Sequence, residues 1–300
     1  MTITSSNAKS GIINAVSAYF LWGLAPIYFK LISDINASEI MVHRILWSCL
    51  LLLIIVIATR KSASLISILK QPKIVARLAL SATFLLVNWF LFIWAVNNDH
   101  ILDASLGYYI NPLLSVALGM VFFGERLSKK QLFAVCLAIL GVLIQLVIVG
   151  SLPIISLALA GTFGIYGLLR KKMHLDSFAA LLIESALMLP LALSYWYFFL
   201  ATPTSNLLVN SMELNVTLMF AGVVTTAPLL CFTAAAKRLS LSTLGFFQYI
   251  GPSMMFLLAT FYYQENLQLG KLATFVFIWI ALVLFSLDSF KTYKLSKINI

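Results

Sequence analysis

The chain has 300 residues, of which 62% are hydrophobic and only 10% are charged. An ordinary soluble domain has roughly 25% charged residues, so twenty Lys and Arg with ten Asp and Glu are too few to cover a soluble globule of this size. The high apolar content, with only 14 Gly and 8 Pro, also excludes a disordered or fibrous chain. The composition therefore indicates a polytopic membrane protein.

Ten stretches are apolar for about 20 residues, the length that crosses roughly 30 Å of hydrocarbon. They predict an all-α polytopic membrane protein with ten transmembrane helices. The first stretch lacks a small-residue cleavage pattern, so we expect it to be a span and not a removed signal peptide. The predicted spans 1 to 10 are Gly11–Ile32, Ala37–Thr59, Ile74–Val96, Ile101–Phe123, Leu132–Val149, Leu152–Leu169, Phe178–Leu200, Leu214–Ala235, Ser242–Tyr263 and Leu272–Phe290.

The positions of Lys and Arg predict the orientation of these spans. With the N-terminus inside, 17 of the 20 basic residues lie in cytoplasmic segments or at cytoplasmic span ends; only Lys30 and Lys271 lie outside, and Arg44 lies within a span. Cytoplasmic loops carry such an excess, so we predict that both termini are cytoplasmic. The net charge of +10 is mainly this asymmetry, and we expect no nucleic-acid partner.

The loops between the spans are short. The longest, Arg60–Lys73, is basic with an apolar stripe, and it is either an amphipathic segment on the inner surface or a polar connector. No loop is large enough for a catalytic domain, so the function must reside within the bundle.

Metal and cofactor sites are not indicated. The cysteines Cys49, Cys136 and Cys231 lie singly in apolar runs, which predicts neither a disulfide framework nor a zinc site. The chain has no Walker-type phosphate-binding sequence, and we expect no cofactor.

An internal repeat relates the two halves of the chain. A shift of 140 residues brings 109–112 (YINP) onto 249–252 (YIGP), and a shift of 141 brings Trp22 onto Phe163. Residues 1–149 and 150–300 are then the first and second repeat, with five spans each. Because five is odd, the halves cross the membrane in opposite senses. Inverted repeats around a site near the midplane are a common plan of secondary transporters.

Six segments of the chain are distinctive: 18–26 (AYFLWGLAP), 43–47 (HRILW), 88–98 (NWFLFIWAVNN), 104–112 (ASLGYYINP), 124–126 (GER) and 224–252. They resemble the RarD group of the EamA branch of the drug/metabolite transporter superfamily. The resemblance covers roughly residues 10–290 and implies two inverted five-helix repeats, with helices 1–4 and 6–9 around a central cavity and helices 5 and 10 at the periphery. One departure is Gln264, which stands where the first repeat has Gly124 and leaves the exit of helix 9 in doubt.

Span 4 carries a face of polar and small residues, Asp103, Gly107, Asn111 and Ser115, at steps of four. This face is either a cavity wall, with Tyr108 and Asn111 offering groups to a ligand, or a seam where helices approach closely. The repeat places Gln248 and Tyr249 at the same level of span 9. We therefore take these four as candidate ligand-binding residues: Tyr108, Asn111, Gln248 and Tyr249.

Other candidates lie near the middle of spans. The rings of Trp22 and Trp89 are candidates for stacking on a ligand, with core or lipid contact as the alternative. Asn88 and Thr226 are candidate ligand contacts or interhelical hydrogen bonds.

Charged groups inside spans are functional candidates by default, because an ionised residue at mid-bilayer costs about 2.5–3.5 kcal/mol. His43, Arg44 and Glu184 are the candidates of this kind, and Glu39 is placed to pair with His43 one turn away. The repeat carries Arg44 onto Glu184, which suggests that the two pair across the cavity in one access state and separate in the other. The alternatives are a static structural pair, or two unrelated charges that each reach toward the nearer headgroups. Arg170 and its basic neighbours are expected to be solvated span ends.

These features favour a secondary transporter of a small organic metabolite or drug-like compound in a bacterial inner membrane. A passive channel is the main alternative. An intramembrane enzyme is disfavoured, because it would need a nucleophile–base pair or a metal cluster. The expected partners are the substrate and the lipid bilayer; the sequence does not indicate an oligomeric state.

The orientation predicts the outcome of fusions to alkaline phosphatase, which is active only outside the cytoplasm. A fusion after Thr204 should be active, whereas fusions after Lys172 and after Ile300 should be inactive, because the basic segments remain inside. Activity after Ile300 would mean an odd number of spans and would remove the argument for an inverted repeat.

Overall fold

The computed structural model describes residues 5–97, 101–149, 154–199, 202, 204–262, 264 and 269–298, and this part of the chain is all-helical. Ten stretches are long and apolar enough to cross a membrane, which confirms the predicted ten spans. In chain order, the helices are α1 (Ser5–Leu31), α2 (Ala37–Ala58), α3 (Ser62–Leu69), α4 (Pro72–Asn97), α5 (Ile101–Phe123), α6 (Lys129–Val149), α7 (Ile154–Met173), α8 (Ser177–Phe199), α9 (Met212–Ala236), α10 (Leu241–Phe247), α11 (Ile250–Leu257), a π-helical turn (Leu258–Tyr262) and α12 (Leu269–Ile298).

Spans 1 to 10 correspond to α1, α2, α4, α5, α6, α7, α8, α9, the broken helix α10–α11 with its π turn, and α12, and they keep these numbers below. Most observed ends lie close to the predicted ones. Span 6 is one exception, because α7 continues one turn past the predicted end at Leu169, to Met173. This extra turn carries Arg170 into the bundle.

The prolines of spans 4 and 9 have different effects. Pro112 lies inside the continuous helix α5, whereas span 9 is interrupted at Gln248 and Tyr249, one turn before Pro252. Proline has no N–H to donate to the carbonyl four residues earlier, and the Gln248 carbonyl instead accepts from the N–H of Gly251 at 3.1 Å. The break therefore lies where Pro252 leaves that carbonyl without its helical partner.

The loop Arg60–Lys73 contains the short helix α3. Its Ile68 is buried against Leu78 of span 3 and Ala179 and Ile183 of span 7, while Ile66 and Leu69 on the other side are exposed. The apolar stripe therefore packs partly on the protein and partly faces outward, and the segment is more than a polar connector.

Helices from the two halves of the chain pack mainly against each other. Span 2 lies against spans 7 and 8, span 3 against spans 6 and 7, span 4 against spans 6 and 9, and span 1 against spans 8 and 9. Spans 5 and 10 pack chiefly on one another, at the side of the bundle. The main buried cluster is built from spans 1, 2, 3, 6, 7, 8 and 9.

Small residues let several of these helices approach very closely. A Cβ atom at Gly222 of span 8 would lie 2.6 Å from the Trp47 backbone of span 2, and Ser48 donates to the Gly222 carbonyl at 3.3 Å. At Gly245 of span 9, a Cβ atom would lie 2.7 Å from Ser115 of span 4. Close backbone contact is the usual way in which membrane helices associate, since lipid supplies no hydrophobic drive between them.

The residue Gln264 has the backbone conformation of its counterpart Gly124, with φ of 53° against 61°. This left-handed conformation ends many helices and is usually supplied by glycine. Gln264 adopts it without a glycine, so the departure from the family pattern does not change the local backbone at this position.

The carboxylate of Glu125 caps the start of span 9. It accepts the backbone N–H groups of Leu241 at 2.6 Å and Ser242 at 2.8 Å, and the Ser242 hydroxyl at 2.7 Å. The first N–H groups of a helix have no partner within the helix, and a negative charge is favourable there. Glu125 thus ties the loop between spans 4 and 5 to span 9.

We predict that Glu125→Gln lowers the melting temperature of the purified protein in detergent. An amide has one acceptor oxygen and turns an N–H₂ group toward the helix donors, and an unsatisfied buried amide costs about 1–3 kcal/mol. The exposed neighbour Arg126 provides the control, since Arg126→Gln should melt as the parent does. Equal melting of both variants would show that the cap does not stabilise the fold.

Candidate substrate site

A small cavity lies between the two halves of the bundle. The space open to the centre of a water molecule is about 10 Å³, roughly the volume that one water needs. Spans 2, 3, 7 and 8 line it. The family resemblance implies eight helices around a central cavity, so fewer helices line this cavity than expected. Its lining residues are Ile45, Ser48, Leu52, Leu85, Trp89, Leu181, Glu184, Ser185, Met188, Thr225, Thr226 and Leu229.

Two buried oxygen atoms of the lining residues have no hydrogen-bond partner within the described residues. They are Thr226 Oγ1 and Glu184 Oε2, on residues that are each 1% exposed. Buried polar atoms are nearly always hydrogen-bonded to protein or to ordered water. Thr226 Oγ1 is therefore available to a molecule inside the cavity, whereas the buried hydroxyl of Tyr166 lies beside the Glu184 carboxylate and competes for it.

Arg44 of span 2 lies beside this cavity and contacts two of its lining residues. Its Nε atom donates to Thr225 Oγ1 of span 8 at 2.9 Å, and its guanidinium carbon lies 4.4 Å from the centre of the Trp89 ring of span 3. The hydroxyl groups of Tyr28 and Tyr108 are close enough for electrostatic interaction with the guanidinium. Side chains of spans 1, 3, 4 and 8 thus surround this one cation.

Glu184 of span 7 pairs with a different arginine from the one the repeat suggests. It accepts from Arg170 Nη1 of span 6 at 3.4 Å and from the hydroxyl of Ser81 of span 3. Arg170 is 5% exposed. The expectation that Arg170 is a solvated span end is therefore wrong, because one more turn of helix turns its side chain inward to a buried carboxylate.

Arg44 and Glu184 do not pair in this structure. Each lies seven residues after the first residue of its helix, at a depth of about 10 Å. Because spans 2 and 7 run in opposite directions, the two depths are counted from opposite ends of the bundle. Helices of this length span about 33 Å, so the two charges are separated by roughly 13 Å along the axis.

Glu39 and His43 of span 2 form a second buried polar cluster. Glu39 accepts from the hydroxyls of Thr202 at 2.5 Å and Thr204 at 2.9 Å, which anchors the loop between spans 7 and 8. His43 Nε2 lies 3.9 Å from Glu39 Oε1, and His43 Nδ1 accepts from Trp47 Nε1 at 3.1 Å. The expected neighbourhood of Glu39 and His43 is present, at the limit of ion-pair distance.

The four candidates on spans 4 and 9 do not line this cavity. Tyr108 is 37% exposed and packs edge-on against Phe92 of span 3 at 6.0 Å, on the side where Arg44 lies. Asn111 and Gln248 are buried, and Asn111 Oδ1 has no partner among the described residues. Tyr249 is fully buried and donates to the Tyr109 carbonyl at 3.2 Å.

The polar face of span 4 is mainly a packing seam. A Cβ atom at Gly107 would lie 3.1 Å from the Ser156 carbonyl oxygen of span 6, and Ser115 packs at Gly245 of span 9. The side chain of Asp103 lies outside the described residues. Among the described side chains near this face, Tyr108 is directed to the surroundings of Arg44.

The remaining candidates have contacts within the bundle. Trp22 lies among aromatic rings, 5.7 Å from Phe163 and 5.9 Å from Phe232 between ring centres. Asn88 donates to the Leu159 carbonyl at 2.8 Å and to Thr162 Oγ1 at 2.9 Å, which joins span 3 to span 6. Within the described residues, no group of three or more His, Cys, Asp or Glu side chains is arranged to hold a metal.

The end of the bundle that is rich in Lys and Arg is closed by polar contacts between loops. Lys61 contacts the Asp176 carboxylate, and Lys237 donates to the Leu175 carbonyl. Partial burial alone would raise the pKa of Asp176, but the Lys61 contact and the backbone N–H of Ala179 hold that pKa below its usual value. This contact therefore persists at neutral pH and is lost only as the pH falls through the lowered pKa.

Comparisons with known proteins assign the chain to a family. The sequence profile of the EamA-like transporter family matches residues 9–147. An uncharacterized transporter of Vibrio cholerae is 53% identical over 291 residues, which cover 97% of this chain and 96% of the relative. Protein RarD of Escherichia coli is 49% identical over 290 residues, which cover 97% of this chain and 98% of the relative.

The chain is a RarD-type member of the EamA family. A solved crystal structure with a TM-score of 0.72, covering 94% of this chain and 98% of its own, has the same fold at 17% identity. This RarD-type protein is therefore a multi-pass membrane protein of a transporter family, and its membership of that family argues against an enzymatic role.

Sequence reasoning missed the partners of the buried charges in this RarD-type protein. Ser81 and Arg170 meet Glu184 from two other spans, and no spacing along the chain connects them. Glu125 was noticed only as part of a family motif; its capping role depends on the distant residues Leu241 and Ser242. A signal for Arg170 was present, since two further basic residues follow it and mark the true end of the helix.

A double-mutant cycle tests the buried pair Arg170–Glu184. Arg170→Met and Glu184→Met should each lower the stability in detergent by about 3–5 kcal/mol, because each strands a buried charge. The double variant should lose less than the sum of the two, which denaturant titration measures. Arg44→Met is the matched control and should add independently to Glu184→Met. Additive losses for Arg170 and Glu184 would contradict the pairing.

Proposed function

We propose that this RarD-type protein is a secondary transporter that moves a small organic solute across the bacterial inner membrane by alternating access. The observation that carries the proposal is the cavity between spans 2, 3, 7 and 8, where the buried Thr226 Oγ1 has no partner among the described residues. A cavity between the two halves of the bundle that contains a polar atom without a hydrogen-bond partner is suited to bind a solute transiently.

We further propose that residues 1–149 and 150–300 are inverted repeats. The helix contacts support this division, because counterpart spans pack on each other. Span 2 packs on span 7, span 4 on span 9 and span 5 on span 10. Counterpart residues also touch: the rings of Trp22 and Phe163 lie 5.7 Å apart, and Tyr249 donates to the Tyr109 carbonyl. Equivalent residues meet only near a two-fold axis, so these contacts favour a pseudo-two-fold axis through the bundle centre.

The same axis relates the helices that line the cavity, since span 2 corresponds to span 7 and span 3 to span 8. A site on the axis is equally placed for access from either side when one half rocks against the other. The predicted orientation makes the end with the Lys61–Asp176 contact cytoplasmic. We therefore propose that this contact closes the cytoplasmic side in the conformation described here.

A passive channel would need a continuous pore, whereas the cavity here has room for about one water molecule. A carrier opens such a cavity to one side at a time. This difference favours the carrier and defines the test.

Counterflow in sealed vesicles tests the function. A solute selected by thermal-shift screening of purified protein against a metabolite panel is loaded inside, and entry of the labelled solute is measured. We expect unlabelled internal solute to accelerate the entry of label, because the carrier returns loaded. Uptake without acceleration would favour the channel, and no uptake of any stabilising solute would contradict transport.

A reversible lock tests the proposed cytoplasmic closure in the same assay. In a background without Cys49, Cys136 and Cys231, Lys61→Cys and Asp176→Cys are joined by a reducible thiol cross-linker. We expect counterflow to stop and to return after reduction. Each single cysteine variant, treated identically, is the control and should retain counterflow. Undiminished counterflow in the cross-linked protein would show that these loops do not have to separate.

A further inference from the structure

The guanidinium of Arg44 is held in place, but only one of its nitrogen atoms donates a hydrogen bond within the described residues. Its Nε atom donates to Thr225 of span 8, and its central carbon lies over the Trp89 ring of span 3, so contacts with two other spans fix its position. Its two terminal nitrogens form no hydrogen bond and no ion pair within the described residues. Arginine is half-buried here, and its terminal N–H groups are suited to bind a carboxylate with two parallel hydrogen bonds.

The carboxylates near the cavity contact groups other than Arg44. Glu184, the carboxylate of the cavity wall, is matched by Arg170. Glu39 is held by two threonine hydroxyls and faces His43. Arg44 therefore has no carboxylate in contact with its guanidinium among the described side chains. A cation inside a membrane bundle costs several kcal/mol unless it is paired, so an anion is the ligand that this site favours.

The cavity beside the cation is mostly apolar. Trp89 and Thr225 touch Arg44 on one side and line the cavity on the other, so the two places are continuous. Beyond them the wall consists largely of Ile45, Leu85, Leu181, Met188 and Leu229. A ligand that reaches both places carries its charge at one end and an apolar body at the other.

We propose that the transported solute is a small organic anion, with a carboxylate bound by the terminal nitrogens of Arg44 and an apolar body directed into the cavity between spans 2, 3, 7 and 8. The proposal rests on the transport function proposed above and adds the chemical class of the substrate. Trp89 supplies a ring for both the guanidinium and the apolar body, and Tyr108, exposed on the same side, supplies a hydroxyl beside the bound charge.

The test uses matched compounds that differ only in charge. Each set contains a carboxylate, its amide and the corresponding ammonium compound on one apolar body: phenyl in the first set, indole in the second and cyclohexyl in the third. Purified protein in neutral micelles free of anionic lipid is titrated, and binding is followed by thermal shift and by tryptophan fluorescence. We expect the carboxylate of at least one set to bind, and its amide and ammonium partners to bind at least tenfold more weakly.

Variants locate the binding at Arg44. Arg44→Gln should weaken carboxylate binding about tenfold or more, and Arg44→Lys should give an intermediate loss, because a point charge replaces the planar fork. Arg77→Gln removes the same charge at an exposed position and should leave binding unchanged. Carboxylate selectivity should persist in Asp103→Asn, which removes the acidic residue of span 4 whose side chain lies outside the described residues.

Several results would overturn the proposal. They are equal or tighter binding of an amide or ammonium compound, full carboxylate binding by Arg44→Gln, loss of selectivity in Asp103→Asn, and the absence of carboxylate binding in all three sets. A further one is stabilisation through Arg44 by added phosphatidylglycerol but by none of the carboxylates, since Arg44 would then hold a lipid headgroup. Counterflow of a neutral or cationic solute would overturn the anion class while leaving the transport function intact.

Discussion

Ionised side chains inside the bundle need compensation, and this requirement governs how its central helices are arranged. Arg170 and Glu184 meet from spans 6 and 7, and Ser81 joins them from span 3, so one buried pair ties three spans together. Removing either partner would strand the other in a medium of low dielectric constant. The helix that carries Arg170 therefore has to continue past Leu169 and turn this side chain toward Glu184 for the pair to form. Arg44 is the exception, since its neighbours are a hydroxyl and aromatic rings and no carboxylate among the described residues.

Close backbone contact fixes the distances within which these charges act. Because lipid offers no hydrophobic drive between helices, span 8 approaches span 2 at Gly222 until only a glycine fits against the Trp47 backbone. Thr225, one turn further along span 8, is thereby brought within 2.9 Å of Arg44. The close contact at Gly222 and the bond between Thr225 and Arg44 therefore depend on the same helix packing. A larger residue at Gly222 would push spans 2 and 8 apart and would break both contacts. The cavity remains where spans 2, 3, 7 and 8 lack such a contact.

The fold was predictable from the sequence to a large extent, and the site only in part. Ten apolar stretches of sufficient length leave little choice of architecture in a bilayer, and the observed spans follow them. The contacts of the charged groups were harder to predict, because they depend on which helices become neighbours. Internal alignment brought Arg44 and Glu184 together as equivalent positions, but equivalence in an inverted repeat means equal depth from opposite ends, which separates them. Asn88 carried no signal that distinguished a ligand contact from its observed bonds to span 6.

If the protein transports by alternating access, as proposed, the different surroundings of Arg44 and Glu184, which the proposed repeat makes equivalent, have a consequence for the transport cycle. One half of the protein neutralises its buried charge internally, through Arg170 and Glu184, whereas Arg44 in the other half depends on what occupies the site. An empty carrier that changes its access must enclose Arg44 without a counter-charge, at a cost of about 2.5–3.5 kcal/mol, which slows the step by roughly 100-fold. A carrier loaded with an organic anion encloses a neutral pair and avoids this cost. The charge of Arg44, which selects an anionic solute, would then also favour one mode of transport. The carrier would exchange one anion for another more readily than it would return empty.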